Sequence, residues 1–133
     1  MTILAYLLTA VLLTIACLHL MWAIGWWFPL GDERRLARAV VGARGIERMP
    51  GAIACSLVVV ALLGVASAIW WPDTIVRTLA LWVSGAVFLL RGVIAYIPAF
   101  RRFGPEEPFA TLDKSYYAPL CLVLGVGIWA LAT

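Results

Sequence analysis

Apolar residues run in four long blocks, residues 3–27, 52–71, 75–96 and 115–132, and polar residues gather in the joins between them. A hydrocarbon core of about 30 Å takes about 20 helical residues, so each block is long enough to cross one. Lipid offers the backbone no hydrogen-bond partner, so a spanning segment must be a helix or a strand of a closed barrel. Barrel strands alternate apolar and polar positions, whereas these blocks are apolar all round. The pattern predicts one integral membrane domain over residues 1–133, an all-α four-helix transmembrane bundle.

The joins carry the expected punctuation. Trp26-Trp27 and Trp70-Trp71 stand at block ends, where amphipathic rings favour the headgroup level. Pro29 and Gly31 close the first block, and Trp71-Pro72-Asp73-Thr74 predicts a tight turn between the second and third. A fourth span beginning at Pro119 would be only about 21 Å long, too short to cross. It is therefore expected to start near Ser115 as N-cap, with Pro119 in its second turn. Proline cannot donate to the Ser115 carbonyl and clashes with it, so a kink or a widened turn follows. The freed carbonyl and the positive end of the helix dipole would then face the neighbouring polar residues.

Charge sets the expected orientation. The chain is 65% hydrophobic and 13% charged, against about 25% charged in soluble domains, and its mean hydropathy is +1.02. The first 30 residues hold no charged side chain. Lacking a basic n-region, they are expected to persist as a span and not to be a signal peptide. Arg34, Arg35, Arg38, Arg44 and Arg48 crowd the first long loop, and Arg101, Arg102 and Lys114 the second, against Arg77 alone on the opposite side. The positive-inside rule puts both loops in the cytoplasm and both termini on the non-cytoplasmic side. Within the first loop, Asp32 precedes Leu36, Ala39 and Val40 at helical spacing. This fits a short interfacial helix with its arginines towards headgroups, or equally a solvated basic loop. The second loop, broken by Gly104, Pro105 and Pro108, is expected to be irregular.

Candidate chemistry concentrates at the cytoplasmic end. Ionisable groups inside spans are costly, so His19 and Arg91 each count as a functional-site candidate. At ~1.5 Å per residue they lie roughly 12 Å and 10 Å below the interface, with Cys121 about 9 Å deep. His19, Trp22 and Trp26 share one helical stripe; Phe88 and Arg91 share another; Asp113, Tyr117 and Cys121 form a third. Bland roles stand beside these. His19 can bond a backbone carbonyl, Arg91 can snorkel towards headgroups, Asp113 can be a counter-ion for Arg91 or Lys114, and Tyr116 and Tyr117 can belong to an aromatic belt. The three cysteines, Cys17, Cys55 and Cys121, sit in apolar segments without C-x-x-C spacing, as buried thiols would. One His and one Cys at a common depth are too few for a metal site. No phosphate loop, nucleotide fingerprint or zinc cluster is present, so no cofactor, metal or nucleic acid is expected.

His19-Leu20-Met21-Trp22-Ala23-Ile24-Gly25, Phe88-Leu89-Leu90-Arg91-Gly92, Phe109-Ala110-Thr111-Leu112-Asp113 and Tyr117-Ala118-Pro119-Leu120-Cys121 together resemble a known pattern. It is that of small bacterial four-span membrane proteins, the domain of unknown function 3995 family. That family typically shows Ser where this chain has Ala118. The resemblance implies the four-span fold and a place in the bacterial inner membrane, and it supplies no activity.

Three functional classes remain open. The first is a membrane-embedded enzyme or binder for an amphipathic lipid-like molecule, anionic-headed or isoprenoid. His19, Tyr117 and Asp113 would be its catalytic candidates, and Arg91, Trp22, Trp26, Phe88 and Cys121 would bind substrate. The second is an oligomeric transporter or channel unit. The third is an accessory subunit of a larger membrane complex, packed through the glycines of span four. Membrane lipids are partners in every case.

Overall fold

The computed structural model describes residues Met1–Thr133. The chain is all helical: α1 (Thr2–Ala23), α2 (Glu33–Val40), α3 (Ala52–Ala68), α4 (Ile75–Ile94), α5 (Pro98–Arg101), α6 (Phe109–Leu112), a π-helical turn (Asp113–Tyr117) and α7 (Ala118–Ala132). Three rods are long and apolar enough to cross a membrane: α1, α4 and the continuous segment Phe109–Ala132. The fourth apolar helix, α3, is shorter, at 17 residues. These features are those of a membrane protein.

The bundle is assembled from two antiparallel pairs, α1 with α3 and α4 with α7, which meet along a narrower seam. Leu8 and Leu12 of α1, Leu62 of α3, Leu81 of α4, and Leu124 and Ile128 of α7 fill the shared core. Large apolar side chains such as Leu7, Ile53, Val83 and Val126 point outward, as expected of helices that are apolar all round. The two basic loops meet at one end of the bundle: the Glu106 N–H donates to the Gly42 carbonyl at 2.9 Å, and the Gly45 N–H donates to Glu106 Oε1 at 3.3 Å.

Several boundaries differ from those the hydrophobic blocks suggest, each for a local reason. The first helix stops at Ala23, not Trp27, because Gly25 takes φ 81°. The Trp26 N–H then turns back to the Met21 carbonyl at 2.9 Å, closing the helix in the manner of a Schellman motif. The second ends at Ala68, with Trp70 and Trp71 bonded into the following turn. The third ends at Ile94, ahead of Ile97-Pro98, since the residue before proline avoids helical geometry. The fourth begins at Phe109, six residues before Ser115. The second loop is not wholly irregular either, as Pro98 opens the single turn α5.

Other expectations hold. Trp71 to Thr74 form the tight connection, and the Thr74 hydroxyl caps α4 by accepting the Arg77 N–H at 3.3 Å. Asp32 caps α2, accepting the Arg35 N–H at 2.8 Å. The apolar face of α2 does not rest on lipid. Leu36 and Ala37 are buried against Trp22, Met49 and Cys55, so α2 closes one end of the bundle.

Arg77 is more than a lone charge at the opposite end. Its guanidinium pairs with Asp73 at 3.0 Å and donates to the carbonyls of Ile69 and Leu131 at 3.4 Å and 3.3 Å. One side chain thus ties the ends of α3 and α7 to the start of α4. Arg77→Gln is expected to cost about 1–3 kcal/mol, the range for leaving buried polar groups unsatisfied. The measurement is the midpoint of SDS-induced unfolding of the purified protein; an unshifted midpoint would show that the clamp is dispensable.

Candidate functional site

The polar stretch before α7 is built as a bracket. The Glu107 carboxylate accepts the Thr111 N–H and hydroxyl at 3.2 Å and 2.9 Å, securing the first turn of α6. The Phe109 ring lodges between two loop glycines. A Cβ on Gly104 would lie 2.6 Å from the ring, and one on Gly42 would collide with it. Gly42 also takes φ +64°, a conformation that suits glycine. Gly42 is thus used in a contact within the chain.

The widened turn predicted at Pro119 is present, in another form than an N-capped helix start. The Ala118 N–H reaches back to the Asp113 carbonyl, the i to i−5 bond of a π-turn. Pro119 has no N–H to give Ser115, and the turn opens to relieve its ring. This leaves the Lys114 carbonyl without a helical donor, and the Tyr96 hydroxyl fills it at 2.8 Å. Because the rod runs on to Phe109, its positive dipole end lies at Phe109 and not at Ser115.

Arg91, in the last turn of α4, bonds Asp113 of the π-turn through Nη2 and Oδ1 at 2.5 Å. This is the counter-ion role anticipated for Asp113. The pair borders a cavity of about 260 Å³ together with Arg101, Phe100, Phe103 and Phe109. One helical turn on, Tyr117 faces a different space. Its hydroxyl donates to the Ala39 carbonyl of α2 at 2.9 Å, and its ring lies 6.0 Å from that of Phe109.

Tyr117 borders a larger, half-open cavity of about 690 Å³ between α1, α2 and α6. Trp22, Leu18, Leu36 and Leu112 give it hydrocarbon walls, and Arg35, Arg38 and Glu107 supply charge. The Trp22 indole is fixed by donating to the Phe28 carbonyl at 2.8 Å. Arg38 meets Glu106 only at 3.9 Å, and its Nε has no partner. Arg35 makes no ion pair.

His19 stacks on Trp22 with ring centroids 4.7 Å apart, yet borders a third cavity of about 160 Å³ with Met49 and Cys55. Its Nδ1 lies 2.8 Å from the Ile15 carbonyl, the bland role considered for it. That bond requires the proton on Nδ1, leaving Nε2 as the acceptor in the neutral ring.

The expected convergence is therefore partial. Arg91 meets Asp113, and Trp22 shares a cavity with Tyr117, but His19 and Arg91 border separate spaces. Phe88 packs on the central core. Cys121 is half-buried in α7. Trp26 is 60% exposed, as a headgroup-level ring would be. Arg35, Arg38 and Glu107 were not among the candidates. The signal for the arginines lay in α2, whose Arg35 and Arg38 recur three apart beside Leu36 and Ala39, an amphipathic pattern.

A family model described as "Protein of unknown function (DUF3995)" matches residues 12–128. The chain belongs to this family. No curated protein and no solved structure matches it. In this DUF3995 protein the matched region runs from α1 into α7 and contains the walls of all three cavities. The family description carries no activity, so function rests on the geometry.

Proposed function

We propose that this DUF3995 protein crosses the membrane four times, with its basic loops in the cytoplasm, and binds an amphipathic, anionic-headed molecule at the loop end of the bundle. The observation that carries this reading is the 690 Å³ cavity, which grades from the guanidiniums of Arg35 and Arg38 to the hydrocarbon walls of Leu18, Trp22 and Leu112. Ligand sites are typically apolar concavities of about 300–1,000 Å³ with a few placed polar groups. Arg35 and Arg38 take over the head-holding role first considered for Arg91, which is committed to Asp113. The positive-inside asymmetry supports the orientation, and the Trp70-Trp71 turn extends the short α3 to the opposite interface.

Binding is favoured over catalysis by where the proton-handling groups lie. Asp113 is neutralised by Arg91, and His19 sits in another cavity. Tyr117 is the remaining candidate, and its hydroxyl is occupied by Ala39. An enzymatic step would require that bond to open.

A photoactivatable anionic lipid in nanodiscs tests the reading. Cross-links should concentrate on Leu18, Trp22 and Leu112, and should fall about tenfold when Arg35 and Arg38 are both changed to Gln, as charge-assisted bonds are lost. Labelling spread evenly over outward-facing positions such as Ile53 and Val83 would overturn it.

A further inference from the structure

We infer that residues 96–104, which follow α4, form an anchor for anionic phospholipids: Phe100 and Phe103 enter the headgroup layer, and Arg101 and Arg102 meet lipid phosphates there. This is a surface contact apart from the 690 Å³ cavity. It requires α4 and the last rod to cross the membrane, and no ligand in the cavity. The first argument is level. Helix α4 ends at Ile94 and the last rod begins at Phe109, so the segment starts and finishes at the ends of two apolar rods. It is also tied down there. The Tyr96 hydroxyl donates to the Lys114 carbonyl at 2.8 Å, and Gly104 lies against the Phe109 ring.

The second argument is what the segment turns outward. Phe100 is 49% and Phe103 68% exposed, and their rings lie 6.4 Å apart. Arg101 and Arg102 stand between them in sequence and make no ion pair. The Arg102 guanidinium lies 5.8 Å from the centre of the Phe103 ring. Aromatic rings favour the headgroup level, and guanidiniums beside them reach its phosphates. Helix α2 differs, because its apolar residues Leu36 and Ala37 are spent on Trp22, Met49 and Cys55.

The third argument is charge, with the neighbouring carboxylates counted as charged. Residues 96–104 hold Arg101 and Arg102 and no acid. Asp113 is matched by Arg91. Glu106 stands towards the first loop, accepting the Gly45 N–H and approaching Arg38 at 3.9 Å, and Glu107 borders the cavity shared with α2. In the first loop the five arginines share their surface with Asp32, Glu33 and Glu47, and Arg34 pairs with Glu47 at 3.3 Å. The two guanidiniums of residues 96–104 thus keep their attraction for an outside anion. Near an anionic leaflet each is worth about fivefold, less as salt screens it.

The test places p-benzoyl-phenylalanine at Phe103 of the full chain, in nanodiscs made of equal parts phosphatidylglycerol and phosphatidylcholine. Lipid adducts formed on irradiation are identified by mass spectrometry. Phosphatidylglycerol adducts should exceed phosphatidylcholine adducts at least about fivefold. The ratio should fall close to one in Arg101→Gln/Arg102→Gln and at high salt. It should hold in Arg44→Gln/Arg48→Gln, which removes the same charge from the first loop, and all variants should keep wild-type helicity by circular dichroism. Lipid adducts with no phosphatidylglycerol excess overturn the preference for anionic headgroups. An excess that survives Arg101→Gln/Arg102→Gln, or falls equally in both pairs, overturns the assignment to these two arginines. Adducts to protein in place of lipid, or none at all, put Phe103 outside the headgroup layer and overturn the anchor. None of these results bears on the cavity ligand, which the cross-links at Leu18, Trp22 and Leu112 test separately.

Discussion

Asp113→Ala is expected to destabilise the bundle by roughly 3 kcal/mol, the low end of the range for breaking a buried ion pair. The low end applies because the Arg91 side chain remains 37% exposed, whereas that of Asp113 is 11% exposed. Removing the carboxylate leaves a guanidinium in the last turn of α4, beside Phe100, Phe103 and Phe109, with its acceptor gone. The reverse change, Arg91→Ala, strands the carboxylate in the π-turn and should cost a similar amount. Replacing both residues by Leu should recover most of the loss, since neither charge is then left unpaired. The measurement is SDS-induced unfolding of the wild type, the two single variants and the double variant, followed by circular dichroism. A double variant as unstable as the sum of the singles would mean that the pair is not coupled. A wild-type midpoint for Asp113→Ala would mean that Arg91 is adequately solvated alone.

That pair also marks where the sequence was readable and where it was not. The helical rods were legible because block length and all-round apolarity leave few alternatives in lipid, and the Trp71–Thr74 turn and the Asp32 cap follow from local chemistry. The start of the last rod was not legible. Asp113 and Lys114 read as loop on polarity, yet they are helical, held by partners distant in sequence. Arg91 neutralises Asp113 across 22 positions, and Tyr96 takes the Lys114 carbonyl across 18. Pro119 did announce a widened turn, since its missing N–H is a local fact.

The candidate site was legible in composition but not in rotation. Spacing grouped Asp113 with Tyr117, and the π-turn then sent one to Arg91 and the other to α2. Helical phase placed His19 and Trp22 on one stripe correctly. It could not say that Trp22 would stand between His19 and the Arg35–Arg38 cavity. Nor could amphipathicity in α2 reveal whether its apolar face covers lipid or the bundle, which is decided by Leu36 and Ala37 meeting Trp22, Met49 and Cys55.

Gly125→Val should be the most damaging substitution in the apolar part of the chain, costing at least about 3 kcal/mol, the upper end for overpacking. Helices α4 and α7 approach so closely that backbone meets backbone. A Cβ on Gly125 would lie 2.9 Å from the Gly85 carbonyl oxygen and 2.6 Å from Leu89 Cγ, and one on Gly85 would strike Trp129. Two turns further along, a Cβ on Gly92 would lie 3.0 Å from the Ala118 carbonyl oxygen. Close approach through small residues is how helices gain van der Waals contact in lipid, where burial supplies no hydrophobic drive. A branched side chain at Gly125 cannot move aside, because it meets backbone oxygen and not only a flexible tip. The helices must separate, and the separation would pass along the rods to the Arg91–Asp113 pair at their loop end. Gly64→Val is the control: it is also a helical glycine in the apolar region, but nothing lies within 4 Å of its added Cβ. Near-wild-type unfolding of Gly64→Val beside early unfolding of Gly125→Val would confirm that the seam, and not glycine content, sets the loss; equal midpoints for the two would refute it. The same geometry withdraws support from an accessory role built on the glycines of span four. Gly125 is already used by α4 and Gly127 by Leu8 of α1, so neither is free to seat another protein's helix.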